Sequence, residues 1–69
     1  MDRKLLTYQL ERIRAHIDRQ YRLVDAAIAD LEAGEPADGI EAALEEIAER
    51  AGKARDIADD ARETAFHTA

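Results

Sequence analysis

Apolar residues recur along this chain at alternating spacings of four and three residues, on both sides of a central break. Before the break, the stripe consists of Leu6, Leu10, Ile13, Ile17, Val24, Ala27 and Leu31, with Gln20 as its polar member. After the break, it consists of Ile40, Leu44, Ile47, Ala51, Ala54, Ala58, Ala61 and Ala65. This spacing is typical of the a and d positions of a coiled coil and predicts two amphipathic helices.

The break contains residues that end one helix and begin another. The two stripes mirror each other about the boundary between Glu35 and Pro36. Gly34 can take the left-handed backbone that terminates helices, and Pro36 cannot continue a helix interior. We therefore predict an all-α fold, a single antiparallel, coiled-coil-like helical hairpin domain over residues 1–69. Its parts are helix 1 at about 3–33, a turn at 34–38 and helix 2 at about 39–66.

Further apolar residues flank the stripe, which is typical of helices in bundles of more than two. On one side, at e positions, lie Tyr21, Ile28 and Ala48, and on the other, at g positions, lie Leu23, Ala43 and Ile57. Alanine has little side chain to bury, so helix 2 gains little beyond residue 51 in an isolated hairpin. We predict that the hairpin dimerises into an antiparallel four-helix bundle, with a hairpin docked on a different protein as the alternative. The alanine-lined half is where we expect the partner.

Two positions near the middle of the hairpin have two interpretations each. Gln20 either fixes register or oligomeric state from within the seam, or reaches solvent at its rim. Gly52, beside Ala51, costs a helix about 1 kcal/mol relative to alanine. It is either a tolerated surface glycine or a contact with helix 1 or a partner that is too close for a Cβ. The residues that we predict for packing or oligomer contacts are Gln20, Tyr21, Ile28, Ala51, Gly52 and Ile57.

The residue types that perform nucleophilic chemistry are nearly absent from the chain. It has no cysteine and no serine, and threonine occurs only at positions 7, 64 and 68. Glu63 and His67 lie one helical turn apart, but their spacing differs from the Glu-x-x-His pairs of metal sites in bundles. We therefore predict no enzymatic activity, no cofactor and no metal site.

The apolar segments are short. No apolar run approaches the roughly 18 residues that span a membrane. Only two leucines follow Met1-Asp2-Arg3-Lys4 before polar residues return, which is unlike a secretory signal. We expect a cytoplasmic protein without a membrane partner.

Charge is distributed unevenly along the chain, whose net charge is −6. Residues 1–22 hold six basic and three acidic residues, whereas the remainder is strongly acidic. The overall sign argues against binding to duplex DNA. Helix 1 nevertheless places Tyr8, Arg12, Arg19 and Arg22 on one outward face, which could contact RNA phosphates and stack on bases. The same face could instead bind a protein or simply be solvated.

Helix 2 carries eight of the sixteen acidic residues, at outward positions. They are Glu41, Glu45, Glu46, Glu49, Asp56, Asp59, Asp60 and Glu63. Such a run usually forms a solvated helix face. Alternatively, it could mimic nucleic acid and inhibit another protein.

The segment 31–41, LEAGEPADGIE, joins two heptad-patterned helices through an acidic turn. In this respect and in its length, the chain resembles the Rop family of plasmid copy-number proteins. The resemblance implies a dimeric bundle that binds RNA through helix 1. From the residues themselves, we predict a small, acidic, non-enzymatic interaction or regulatory module that acts as a homodimer. An RNA-binding regulator and an acidic inhibitor are the alternatives.

Overall fold

Two long helices form an antiparallel hairpin in the computed structural model, which describes residues 3–68. Helix α1 spans Arg3–Glu32 and helix α2 spans Asp38–Thr68. They pack side by side in a rod of 52 × 14 × 11 Å. The prediction of an all-helical hairpin is confirmed, since residues 3–68 contain no strand. The observed turn, 33–37, begins and ends one residue earlier than predicted, and α2 continues two residues further.

The turn ends α1 with a pattern of backbone hydrogen bonds that requires a left-handed residue. Gly34 has a φ of 80°. Its N–H donates to the carbonyl of Leu31 at 3.1 Å, and the N–H of Glu35 donates to the carbonyl of Asp30 at 2.9 Å. These two bonds define a Schellman motif, which satisfies carbonyls that the end of a helix leaves without partners. Gly34 therefore ends α1 as the sequence predicts.

The helices contact each other through d and g positions, rather than through the a and d positions that the spacing predicts. On α1, the buried and half-buried residues are Leu6, Gln9, Ile13, His16, Gln20, Leu23 and Ala27. On α2, they are Ile40, Ala43, Glu46, Ile47, Arg50, Ala54, Ile57, Ala61 and Thr64. The predicted a positions, Leu10, Ile17, Val24, Leu31, Leu44, Ala51, Ala58 and Ala65, are all exposed.

This shift corresponds to a rotation of each helix by about 60°, because successive residues turn by about 100° around a helix. The apolar stripe, with its flanking residues, is wider than one helix can cover. The hairpin contact therefore occupies one edge of the stripe and leaves the other edge exposed.

The most deeply buried residues lie in the alanine-lined half of the hairpin. Ile57 and Ala61 are the buried apolar residues of the described chain, at 7% and 5% exposure, and Gln9 lies opposite them at 9%. Toward the turn, Ile28 and Leu31 are exposed. The expectation that helix 2 gains little burial beyond residue 51 in an isolated hairpin is therefore wrong, because Ile57 supplies a large buried side chain there.

The hairpin leaves much of its surface uncovered. Its accessible surface is 5490 Å² for a mass of 7.7 kDa. A compact monomer of that mass exposes about 4,300 Å². The excess reflects two helices that bury one side each.

Candidate interaction surfaces

Large hydrophobic side chains are exposed along one side of the hairpin, mostly in the half nearer the turn. Seven of them keep between 42% and 68% of their surface exposed: Leu10, Ile17, Tyr21, Val24, Ile28, Leu31 and Leu44. The exposed alanines of the same a and e positions of α2 extend this surface, namely Ala48, Ala51, Ala58 and Ala65. We call these eleven residues the apolar face.

The antiparallel arrangement places these positions of both helices on the same side. In each helix, the a and e positions lie about 110° around the axis from the d and g positions. The two helices run in opposite directions, so this rotation has opposite senses when both are viewed from one end. Both a/e edges consequently turn to one side of the hairpin, where they form a single surface about 45 Å long.

The opposite side of the hairpin is charged and internally paired. Arg19 Nε donates to Glu46 Oε2 at 2.8 Å, and Arg19 Nη2 lies 3.4 Å from Glu46 Oε1. Arg50 Nε lies 3.7 Å from the same carboxylate, and Arg50 Nη1 lies 3.2 Å from His16 Nδ1. An arginine can only donate, so His16 is the acceptor in this contact. We call Arg19, Glu46, Arg50 and His16 the charged network.

The charged network shifts the titration of its central pair. The hydrogen bond from Arg19 holds the pKa of the Glu46 carboxyl below its usual value. The same bond raises the pKa of the Arg19 guanidinium. Both shifts favour the charged pair that crosses from α1 to α2, although both side chains remain accessible to solvent.

The four residues predicted as a basic stripe have different environments. Arg12 lies over the ring of Tyr8, with 5.7 Å from its Cζ to the ring centre. Arg19 is bound by Glu46, which offsets its charge, while Arg22 is exposed. The open groove beside Arg12 is lined by the carboxylates Asp56 and Asp60 as well as by Lys53. The stripe is therefore not a uniform basic surface.

Two glutamines occupy the contact between the helices. Gln20 is half-buried, and its Nε2 donates to the carbonyl of Ile47 at 3.1 Å. Gln20 thus ties the two helices together instead of reaching only solvent. Gln9 is more deeply buried, and its Oε1 has no hydrogen-bond partner in the part of the chain that the structure describes. Sequence reasoning overlooked Gln9 because it lies at a g position, beside the predicted seam.

The remaining predicted packing residues divide between the contact and the apolar face. Ile57 is buried between the helices, whereas Tyr21, Ile28 and Ala51 are exposed. Gly52 is exposed too, and a Cβ added there would meet no atom within 4 Å. A contact with helix 1 too close for a Cβ is therefore excluded, which leaves a surface glycine or a contact with a partner.

The carboxylates of α2 are mostly exposed, and some contact bases on the same helix. Lys53 lies 3.4 Å from Glu49, and Arg62 lies 3.4 Å from Asp59. Within residues 3–68, no three acidic or histidine side chains are close enough together to hold a metal ion.

No family model, curated protein or solved structure matches this chain. The resemblance to the Rop family therefore rests on the turn segment, the heptad pattern and the length of the chain. Neither helix, over its described residues, is both apolar and long enough to cross a bilayer.

Proposed function

We propose that this protein is a non-enzymatic interaction module that associates with a second copy of itself through the apolar face, forming a homodimeric four-helix bundle. The observation that carries the proposal is the row of seven large hydrophobic side chains left exposed along one side of the hairpin. Monomeric soluble proteins rarely expose apolar patches of this extent without a partner.

The size of the face suits a stable dimer. Two helices, each about 10 Å wide and about 45 Å long, present roughly 900 Å². A standard specific interface buries about 800 Å² on each partner. The angle of about 110° between the two contact edges of each helix also approximates the right angle at which a helix in a four-helix bundle meets its two neighbours.

The alternatives rank lower for physical reasons. An RNA-binding regulator would need a basic face on helix 1, but Glu46 already neutralises Arg19, and carboxylates line the groove beside Arg12. An acidic inhibitor would use the carboxylates of α2, but it gives no role to the exposed hydrophobic row. A hairpin docked on a different protein would use the same apolar face, and the oligomeric state of the pure protein separates it from the dimer.

Sedimentation equilibrium at micromolar concentrations tests the proposal. We expect the wild type to sediment with twice its mass of 7.7 kDa. The variant Ile17→Gln/Val24→Gln should sediment as a single chain, because it places two polar amides at the centre of the apolar face. Leu5→Gln is the matched control, since Leu5 is similarly exposed, at 47%, but lies off this face. A folded wild-type monomer at every concentration would contradict the proposal.

A further inference from the structure

Charged residues along the edge of the apolar face follow complementary patterns on the two helices. On α1 the order is Glu11, Arg14, Asp18, with signs minus, plus, minus. On α2, read in the reverse direction, the order is Arg62, Asp59, Arg55, with signs plus, minus, plus. The spacings match as well, at three and then four residues in both cases. These six edge charges occupy b and e positions, next to the exposed a positions.

The edge charges are available for contacts with a partner. All six residues are exposed. The ion pairs of residues 3–68 engage none of Glu11, Arg14, Asp18 and Arg55. Arg62 and Asp59 contact each other along their own helix at 3.4 Å.

A two-fold dimer that uses the apolar face has two arrangements. A symmetry axis parallel to the helices places α1 against the partner's α2, with both turns at the same end. An axis across the helices places α1 against the partner's α1, with the turns at opposite ends. The first arrangement brings unlike edges together, and the second brings like edges together.

We infer that α1 packs against α2 of the second copy, with both turns at one end of the bundle; this inference rests on the proposed homodimer. An axis parallel to the helices keeps every residue at its own level along the rod. Each α1 residue therefore lies at the same level along the rod as the same α2 residues, both in its own chain and in the partner. At an offset of three residues from these levels, Glu11 pairs with Arg62 of the partner subunit, Arg14 with Asp59 of the partner subunit, and Asp18 with Arg55 of the partner subunit.

The levels of these pairs are compatible with direct contact. Because the turn lies between Glu32 and Asp38, Glu11 lies at about the level of Asp59. Asp59 has the same charge as Glu11, so the complementary partner is Arg62, three residues from that level, a distance of about 4.5 Å along the helix. The long side chains of arginine and glutamate cover such an offset.

Side-chain sizes across the apolar face favour the same arrangement. On this face α1 presents leucine, isoleucine, valine and tyrosine, whereas most of α2 presents alanine. Packing α1 on α2 sets large residues against alanines over most of the interface, except near the turn, where α2 presents Leu44. The same offset brings Tyr21 to Gly52 of the partner subunit, where the open surface around the glycine leaves room for the ring.

This arrangement has a consequence for the basic residues of α1. The two α1 helices lie diagonally across the bundle, so Arg12 and Arg22 of the two subunits face opposite sides. The dimer then has no joint basic surface built from both copies of α1.

Charge reversal distinguishes the two arrangements. Variant A is Glu11→Arg/Arg14→Glu/Asp18→Arg, and variant B is Arg55→Glu/Asp59→Arg/Arg62→Glu. If α1 meets α2, each variant alone sets like charges together at both copies of the interface, and its dimer should weaken at least tenfold. An equimolar mixture of A and B should recover a heterodimer of wild-type strength, because reversed α1 then meets reversed α2 and native α1 meets native α2.

Sedimentation equilibrium of wild type, A, B and the mixture gives the answer, with circular dichroism to confirm that each variant is helical. If like helices meet, reversal changes both sides together, so A and B should each dimerise as the wild type does. That result would overturn the inferred arrangement while leaving the homodimer intact. Weakened dimers that the mixture fails to restore would also overturn it, since the edge charges would then not be paired as inferred. A monomeric wild type would instead refute the proposed function.

Discussion

The two sides of the hairpin differ in whether their side chains already make contacts between the helices of a single chain. On the charged side, Arg19, Glu46, Arg50 and His16 make contacts that cross from one helix to the other. On the apolar side, seven large side chains remain between 42% and 68% exposed. The charged side is therefore complete in the monomer, whereas the apolar side has burial left to gain.

In the proposed dimer, one wide apolar stripe serves two contacts. Its d and g edge closes the hairpin, helped by the hydrogen bond from Gln20 to the carbonyl of Ile47. Its a and e edge holds the seven exposed large hydrophobic residues of the apolar face. Hydrogen bonds between the helices thus favour one pairing of α1 with α2. Burial of the exposed apolar area would provide the larger part of the free energy of association.

We expect the largest difference in the free energy of unfolding when one isoleucine in the hairpin contact and one on the apolar face are each changed to alanine. Ile57→Ala should lower the free energy of unfolding by about 2–4 kcal/mol, because it leaves a cavity where Ile57 is now buried between the helices. The matched change Ile28→Ala, at a residue 49% exposed, should cost less than about 1 kcal/mol in a monomeric background.

Urea unfolding in the monomeric Ile17→Gln/Val24→Gln background measures both values. In the wild-type background, Ile28→Ala should also make the transition more dependent on protein concentration, because the dimer is weaker. Equal costs for the two changes in the monomer would contradict the distinction between a filled contact and an open face.

Gly52→Ala is expected to have an intermediate effect on stability, with opposite signs in the monomer and in the dimer. In the monomeric background, it should stabilise the hairpin by about 1 kcal/mol, since alanine favours a helix and the added Cβ meets open space. In the dimer, the same Cβ enters the place assigned to Tyr21 of the partner subunit and should weaken association. Thermal unfolding in both backgrounds gives the two signs. Equal stabilisation in both would remove Gly52 from the interface.

The smallest effect is expected on the charged side, from Glu46→Gln. The hydrogen bond from Arg19 lowers the pKa of Glu46 in the folded state, so the ionised form stabilises the fold above the usual value of 4.5. That contribution should disappear as the pH falls through the lower folded-state pKa.

Melting temperatures of wild type and Glu46→Gln, measured from pH 6 down to about pH 3, should converge at the acid end. The neighbouring change Glu45→Gln, outside the charged network, is the control. High salt should shrink the difference at pH 6, because both partners are accessible to solvent. A constant difference at every pH would show that the pair with Arg19 does not stabilise the hairpin.

The sequence predicted the elements of the fold closely and the candidate surfaces less well. The apolar spacing located both helices within about two residues of their observed ends, and Gly34 has the backbone conformation that its place in the sequence indicated. Tyr21 and Ile28, which the sequence marked as packing or oligomer contacts beside the stripe, are both exposed in the hairpin. The network around Glu46 was not foreseen, because Glu46 seemed one of many outward carboxylates until α1 placed Arg19 beside it.

The amino-acid sequence by itself determined two helices and the turn between them. Helix periodicity and the conformations of Gly34 and Pro36 depend on interactions within a few residues, so they can be read locally. Only the tertiary structure decided which edge of the apolar stripe closes the hairpin. A stripe wider than one helix contact allows either edge, and a rotation of about 60° changes which residues remain exposed. The packing of both helices, together with polar contacts such as Gln20 to Ile47, selected the d and g edge and left the apolar face uncovered.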